Sequence, residues 1–230
     1  MAFRKSCEIG NEQFDNILNF RDVGKTVNQF LGKSNVDNAS DKDIERLISE
    51  YGIKTILDLR TRIFFCLLLT FQKVAAIRLL TKRVLLPIGL IGSSNIALRA
   101  SASAYHSALS VVADSLAQHP PAPILVHCTA GKDRTAHIVS LLLLICDVPV
   151  DAIDYDYFIT SRSGALKAEW DERRRELEEF GFTEDWLDTP KGFIRDTIAH
   201  LKQEWGGVQE YCDFVGIGQY DIMAIQRLWV

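Results

Sequence analysis

The chain lacks the means to build a covalent or metal-based framework. Its five cysteines, at 7, 66, 128, 146 and 212, are odd in number and scattered, with no Cys-x-x-Cys pair. This argues against a disulfide scaffold or a paired-cysteine zinc site and favours a reducing compartment. An excess of positive charge is also missing. The formal net charge of −4 argues against a protein that lives on nucleic acid, while leaving room for a local basic pocket. The first residues, Met-Ala-Phe-Arg-Lys-Ser, carry no long apolar segment of the secretory kind, so the expected location is cytoplasmic. The charge-free run Ile63-Phe-Phe-Cys-Leu-Leu-Leu-Thr-Phe71 falls far short of the roughly 20 residues that span a bilayer. Internal repeats and low-complexity linkers are absent as well.

What is present suits a globular chain with a true core: 47% hydrophobic and 24% charged residues. Ser40 followed by Asp43 resembles a capping box, and Ile44, Leu47, Ile48 and Tyr51 fall on one helical face before Gly52. Strands are expected at Ile53–Leu59, Val84–Ile88 and Ile124–Val126, with a loop through Gly89, Gly92 and two serines. Helices are expected at 100–118, 136–146, 151–162, 165–180, 190–205 and 221–229. Thr189-Pro190 provides a start for one of them and Gly206-Gly207 a stop. Strands alternating with helices, then a helical C-terminal third, predict an α/β fold with a mostly parallel central sheet flanked by helices. One domain over 1–230 accounts for the length.

The densest chemical information lies in His127-Cys-Thr-Ala-Gly-Lys-Asp-Arg-Thr135. An apolar strand precedes it and an apolar helix follows. A strand, a tight loop and a helix N-terminus aim amide dipoles at one point and so cradle an anion. Cys128 is expected at the bottom of that cradle and Arg134 at its lip. Amide donors, a nearby cation and a helix N-terminus lower a thiol's pKa to roughly 3.5–7.5. Such a thiolate can attack phosphorus and form a cysteinyl-phosphate. Arg134 offers a planar fork for two phosphate oxygens, Thr135 a hydroxyl for the sulfur, and His127 a hydrogen bond that orders the loop. Thr129, Ala130, Gly131 and Lys132 complete the phosphate-binding turn.

This loop resembles the His-Cys-x5-Arg-Thr signature of the protein tyrosine phosphatase superfamily, and in its particular form that of the atypical tyrosine/serine phosphatases of bacteria and fungi. Asn19-Phe-Arg-Asp-Val-Gly24, Ile56-Leu-Asp-Leu-Arg60-Thr, and Gly206-Gly-Val-x2-Tyr211 through Gly216 are similar to further motifs of that family. The resemblance implies a protein tyrosine phosphatase-like fold and hydrolysis of phosphomonoesters without metal or other cofactor. It implies phosphoprotein substrates, with phosphoinositides added because Lys132 places a second cation beside the phosphate. Two departures stand out: Ala136 where the family has Gly, and the apolar run 63–71 where it has a charged amphipathic helix. Residues 61–82 are therefore an atypical segment, read as a lid, an insertion, a buried element, or a patch that touches a membrane transiently.

Protonating the leaving oxygen calls for a carboxyl group. Many relatives supply an Asp some thirty residues before the cysteine, yet residues 84–113 contain no Asp or Glu. That absence makes Asp133, inside the loop, the leading candidate, its other reading being a brace for Arg134 or Lys132; Asp114 is next and is read mainly as a surface residue. Asp58 and Arg60, at a strand end, are expected to buttress the loop. Tyr155, Tyr157 and Phe158 read as packing aromatics. A catalytically silent phosphate-binding adaptor of the same fold is the alternative to an enzyme.

Overall fold

In a computed structural model, the described residues are 18–23, 31–35, 39–60, 78–119, 121–162 and 170–227. The apolar run 63–71 lies outside them, as does most of the atypical segment 61–82.

In chain order the elements are β1 (Leu18–Asp22), β2 (Leu31–Asn35), α1 (Asp41–Ser49), β3 (Thr55–Asp58), a π turn (Thr81–Leu85), α2 (Leu86–Ala100), α3 (Ala102–Ala117), β4 (Ile124–His127) and α4 (Asp133–Ile145). Then come α5 (Val150–Arg162), α6 (Trp170–Glu179), a 3-10 turn (Glu184–Leu187), α7 (Phe193–Glu204), α8 (Val208–Val215) and α9 (Gln219–Gln226). The α/β class is as expected. The sheet is small, four strands in the order β1-β2-β4-β3. β2 and β3 both pair parallel with β4, whereas β1 pairs antiparallel with β2.

β4 sits between two parallel neighbours and is buried along its whole length, which explains its unbroken Ile-Leu-Val sequence. Successive side chains of a strand point to opposite faces. Ile124 and Val126 accordingly join the main core, with Leu109 and Val112 of α3, Ile138 and Leu142 of α4 and Tyr211 of α8. Leu125 packs on the other face against Leu47 of α1, with Ala39, Tyr51 and Ile53 around it. The register pairs Asp58 with His127, so the ends of β3 and β4 open side by side at the carboxyl edge of the sheet.

Local signals act as read in several places. Ser40 caps α1: its Oγ accepts from the Asp43 amide at 3.1 Å, and Asp43 Oδ2 accepts from the Ser40 amide at 3.1 Å. The α4 helix is buried almost throughout.

Four expectations are corrected. Val84–Ile88 is not a strand, and the loop expected through Gly89 and Gly92 is helical. Both belong to the π turn and α2. The apolar run carries no alternation to favour a strand, and Pro87 lies in the first turn of α2, where its missing N–H costs nothing. Gly89, at φ 68°, absorbs a kink there. Helix α7 begins at Phe193 rather than Pro190, because Gly192 at φ 84° lies outside the helical region. On α1 only Leu47 of the expected apolar face is fully buried. Ile44 and Ile48 are 46% and 62% exposed, while Leu47 packs on Leu125 with Tyr51 beside it. No single helix among the described residues is long and apolar enough to cross a membrane.

Candidate active site

The loop begins where β4 ends. Gly131 takes φ 58°, a backbone state that costs a side-chain-bearing residue appreciably more than glycine. The last residues of the motif, Asp133, Arg134 and Thr135, form the first turn of α4, closed by the Ala136 amide donating to the Lys132 carbonyl at 2.7 Å. Helix α4 thus starts three residues earlier than its apolar pattern indicates. The result is to put Asp133 and Arg134 at the positive end of the helix dipole.

Cys128 is buried, at 2% exposure. Burial alone would push its thiol up. The Arg134 guanidinium, the Thr135 hydroxyl and the amides of Thr135 and Ala130 together outweigh that, and the thiol ends below its ordinary value. The Thr135 hydroxyl is fully buried and is among the groups that favour the Cys128 thiolate. Arg134 Nη2 donates to Thr129 Oγ1 at 2.9 Å, folding the guanidinium back across the loop.

Charged side chains at the end of β3 hold the loop from that side. Arg60 grips Asp58 through Nε to Oδ1 at 2.9 Å and Nη2 to Oδ2 at 2.7 Å, and its amide donates to Oδ1 at 2.9 Å. The Arg60 side chain is the chief reason the Asp58 carboxyl lies below its usual range, with burial opposing. Asp58 Oδ2 lies 3.8 Å from His127 Nε2, and the Leu59 amide donates to the His127 carbonyl at 2.8 Å. These contacts are the buttress that Asp58 and Arg60 were expected to form.

Lys132 is placed differently from expectation. It is 4% exposed, and its ammonium donates to the carbonyls of Trp186 at 3.1 Å, Leu187 at 3.2 Å and Asp188. Those carbonyls close the 3-10 turn. The lysine therefore fastens that turn to the loop. A C-terminal row of carbonyls attracts a cation, and local sequence gave no sign that this row would lie here.

Asp133 carries an ion pair to Lys132, Oδ2 to Nζ at 3.5 Å, and accepts a hydrogen bond at Oδ1 from the Tyr157 hydroxyl at 2.9 Å. Tyr157 is 2% exposed, and a packing role was expected for it. The ring does pack, stacked on Phe193 at 4.6 Å, but its hydroxyl reaches the loop. The available signal was a tyrosine instead of a phenylalanine on a buried helix face, since a buried phenol needs a polar partner. Asp114, the other acid considered, is exposed on α3.

Behind the loop, His137 lies one turn after Asp133 on α4. It stacks on Phe193 at 5.3 Å, and its Nδ1 is 2.7 Å from the Tyr105 hydroxyl. Burial holds His137 neutral, pushing its pKa down to about 4. A neutral imidazole packed in this way is a structural element.

Residues 93–230 match the model described as "Tyrosine phosphatase family". The match contains the whole loop and leaves the motifs at 19–24 and 56–61 outside it. A tyrosine-protein phosphatase of Nostoc commune is 28% identical over 117 residues, covering 45% of this chain and 37% of that protein. The chain therefore spans well under half the length of that curated relative.

Proposed function

The chain belongs to the tyrosine phosphatase family, and from that premise we propose that it hydrolyses phosphomonoesters on proteins through a cysteinyl-phosphate. The observation that carries this reading is Cys128, buried yet with its thiol below its ordinary value through Arg134, Thr135 and two loop amides. A thiol held this way carries more of the nucleophilic thiolate than a free cysteine does.

In the first step the Cys128 sulfur attacks phosphorus, the bond from phosphorus to the ester oxygen breaks, and that oxygen takes a proton from Asp133. Arg134 releases Thr129 and binds two phosphate oxygens in a bidentate manner, countering the charge that builds on them. The loop amides and the start of α4 do the same. In the second step water attacks the cysteinyl-phosphate, Asp133 takes the proton back, and sulfur leaves as a thiolate eased by the Thr135 hydroxyl. His127, Ala130 and Gly131 shape the turn that holds the phosphate.

Phosphotyrosine and phosphoserine proteins are the proposed substrates. The phosphoinositide reading rested on the form of the loop and on the charge of Lys132, and the three carbonyl partners of that ammonium weigh against the second ground. The proposed compartment is the cytoplasm, where Cys128 stays a free thiol.

The test is hydrolysis of p-nitrophenyl phosphate and of phosphopeptides by the wild type and by Cys128→Ser. Turnover that the serine variant abolishes supports the enzyme. Phosphate binding with no turnover in the wild type would instead support an adaptor.

A further inference from the structure

We propose that Tyr157 is the positioning residue for the proton donor of this site, holding Asp133 by one oxygen so that the other faces the leaving group. The inference rests on the reading of Asp133 as the acid.

Asp133 stands at the first position of α4, where a carboxylate side chain is free to rotate unless something fixes it. Among the described residues its hydrogen bond is the one from Tyr157, at 2.9 Å to Oδ1. Lys132 stands 3.5 Å from Oδ2 but is anchored to the carbonyls of Trp186, Leu187 and Asp188. Its contribution is therefore a fixed charge and not an orienting bond.

The direction of the Tyr157 hydroxyl is itself fixed by packing. Its ring lies at 21° to Phe193 of α7 with centroids 4.6 Å apart. Phe193 lies at 25° to His137 at 5.3 Å. His137 is on α4, one turn beyond Asp133. The chain of contacts therefore leaves α4 at His137, passes through α7 and α5, and returns to α4 at Asp133. Any slide of α5 along α4 would break both ends of this stack together. Phe193 is 0% exposed, so no water softens it.

Tyr157 cannot replace Asp133 as the acid. Burial, reinforced by the carboxylate beside it, holds the phenol far above its ordinary value, so it keeps its proton at any working pH. With Oδ1 accepting from that phenol, the transferable proton belongs on Oδ2. In the first step Oδ2–H gives its proton to the leaving oxygen, and in the second Oδ2 receives one from water. Tyr157 begins and ends both steps as a neutral hydroxyl.

Among the described residues, the charged or titratable groups that face Asp133 are Tyr157 from α5, Lys132 from the loop and His137 from its own helix, with Arg134 next to it in the chain. Of these only Tyr157 can lose its contact with Asp133 while its ring stays in place, by Tyr157→Phe.

The test compares two substrates, p-nitrophenyl phosphate, whose leaving group needs little protonation, and phenyl phosphate, which needs much. Because general acid catalysis contributes about 10²–10⁴-fold, Tyr157→Phe is expected to lower kcat on phenyl phosphate by roughly 10- to 50-fold, less on p-nitrophenyl phosphate, with KM unchanged. The double variant with Asp133→Asn should be no slower than Asp133→Asn alone. Thermal unfolding of Tyr157→Phe, which keeps the stacked ring, separates a folding defect from a catalytic one. An equal loss on both substrates, or a fully additive double variant, would overturn the assignment to Tyr157. If Asp133→Asn is itself indifferent to the leaving group, Asp133 is not the acid, and the positioning role falls with it. A leaving-group effect in Asp133→Asn without one in Tyr157→Phe refutes the role of Tyr157 alone.

Discussion

Replacing Lys132 with methionine tests whether this lysine is a fastener or a ligand for substrate. Methionine keeps an unbranched apolar stem of similar length and removes the ammonium. In the folded protein that ammonium donates to three main-chain carbonyls and faces Asp133 at 3.5 Å, at 4% exposure. Hydrogen bonds to charged groups contribute about 1.5–3 kcal/mol each. Three that share one donor do not add, and burying the ammonium has its own cost. A net loss of about 2–4 kcal/mol is the reasonable expectation. For a chain of this size 1 kcal/mol moves Tm by about 2–4 °C, so Tm should fall by roughly 5–15 °C. The freed segment is the 3-10 turn and its flank, so limited proteolysis should cut first near 180–190, with cutting elsewhere little changed. Activity on p-nitrophenyl phosphate should fall modestly, through the looser loop. An unaltered Tm together with selective loss of a phosphoinositide substrate would refute the reasoning and return Lys132 to the ligand.

The acidity of Cys128 should be measurable as the pH dependence of its alkylation by iodoacetamide. The midpoint should lie below the ordinary thiol value of about 8.5. Arg134→Met should move it upward, because Arg134 is the largest influence favouring the thiolate; an unchanged midpoint would show that the loop amides suffice. His137 predicts a pH-dependent stability. Its pKa in the folded protein, about 4, lies below that of the unfolded chain, so its contribution is present above about pH 6.5 and is lost as pH falls toward 4. From pH 7 to pH 5 the loss from this group should be about 2 kcal/mol, read by urea unfolding at the two pH values. His137→Gln should remove that part of the slope, and a slope unaltered by the substitution would contradict the assignment.

Tyr157 and Lys132 define what kind of information a linear reading misses. Each was recognised as a residue with a role, and each has a partner that its neighbours in sequence do not name. The alkyl stem and charge of Lys132 suggested a ligand contact. Its partners are carbonyls 54 to 56 positions away in the chain, brought beside it by the packing of the 3-10 turn. The phenol of Tyr157 needed a partner, but which one depended on how α5 lies against α4. The error at Val84–Ile88 differs in kind. A short apolar run has no period of its own, and surrounding structure decides between strand and helix.

The sequence by itself determined the features whose causes lie within a few residues: the capping box at Ser40, the buried strand and helix around 124–145, and the loop that joins them. Cys128, Arg134 and Thr135 come together because a strand, a glycine-containing turn and a helix N-terminus bring them together, with little need of the rest of the chain. Only the tertiary structure decided what surrounds that loop. Asp58 braces it because β3 and β4 pair in register, Lys132 turns away to a distant row of carbonyls, and Tyr157 is aimed at Asp133 by a stack of rings from three helices. Short-range backbone geometry is written in adjacent residues. The partners of a buried charge or phenol depend on which surfaces the whole fold presses together.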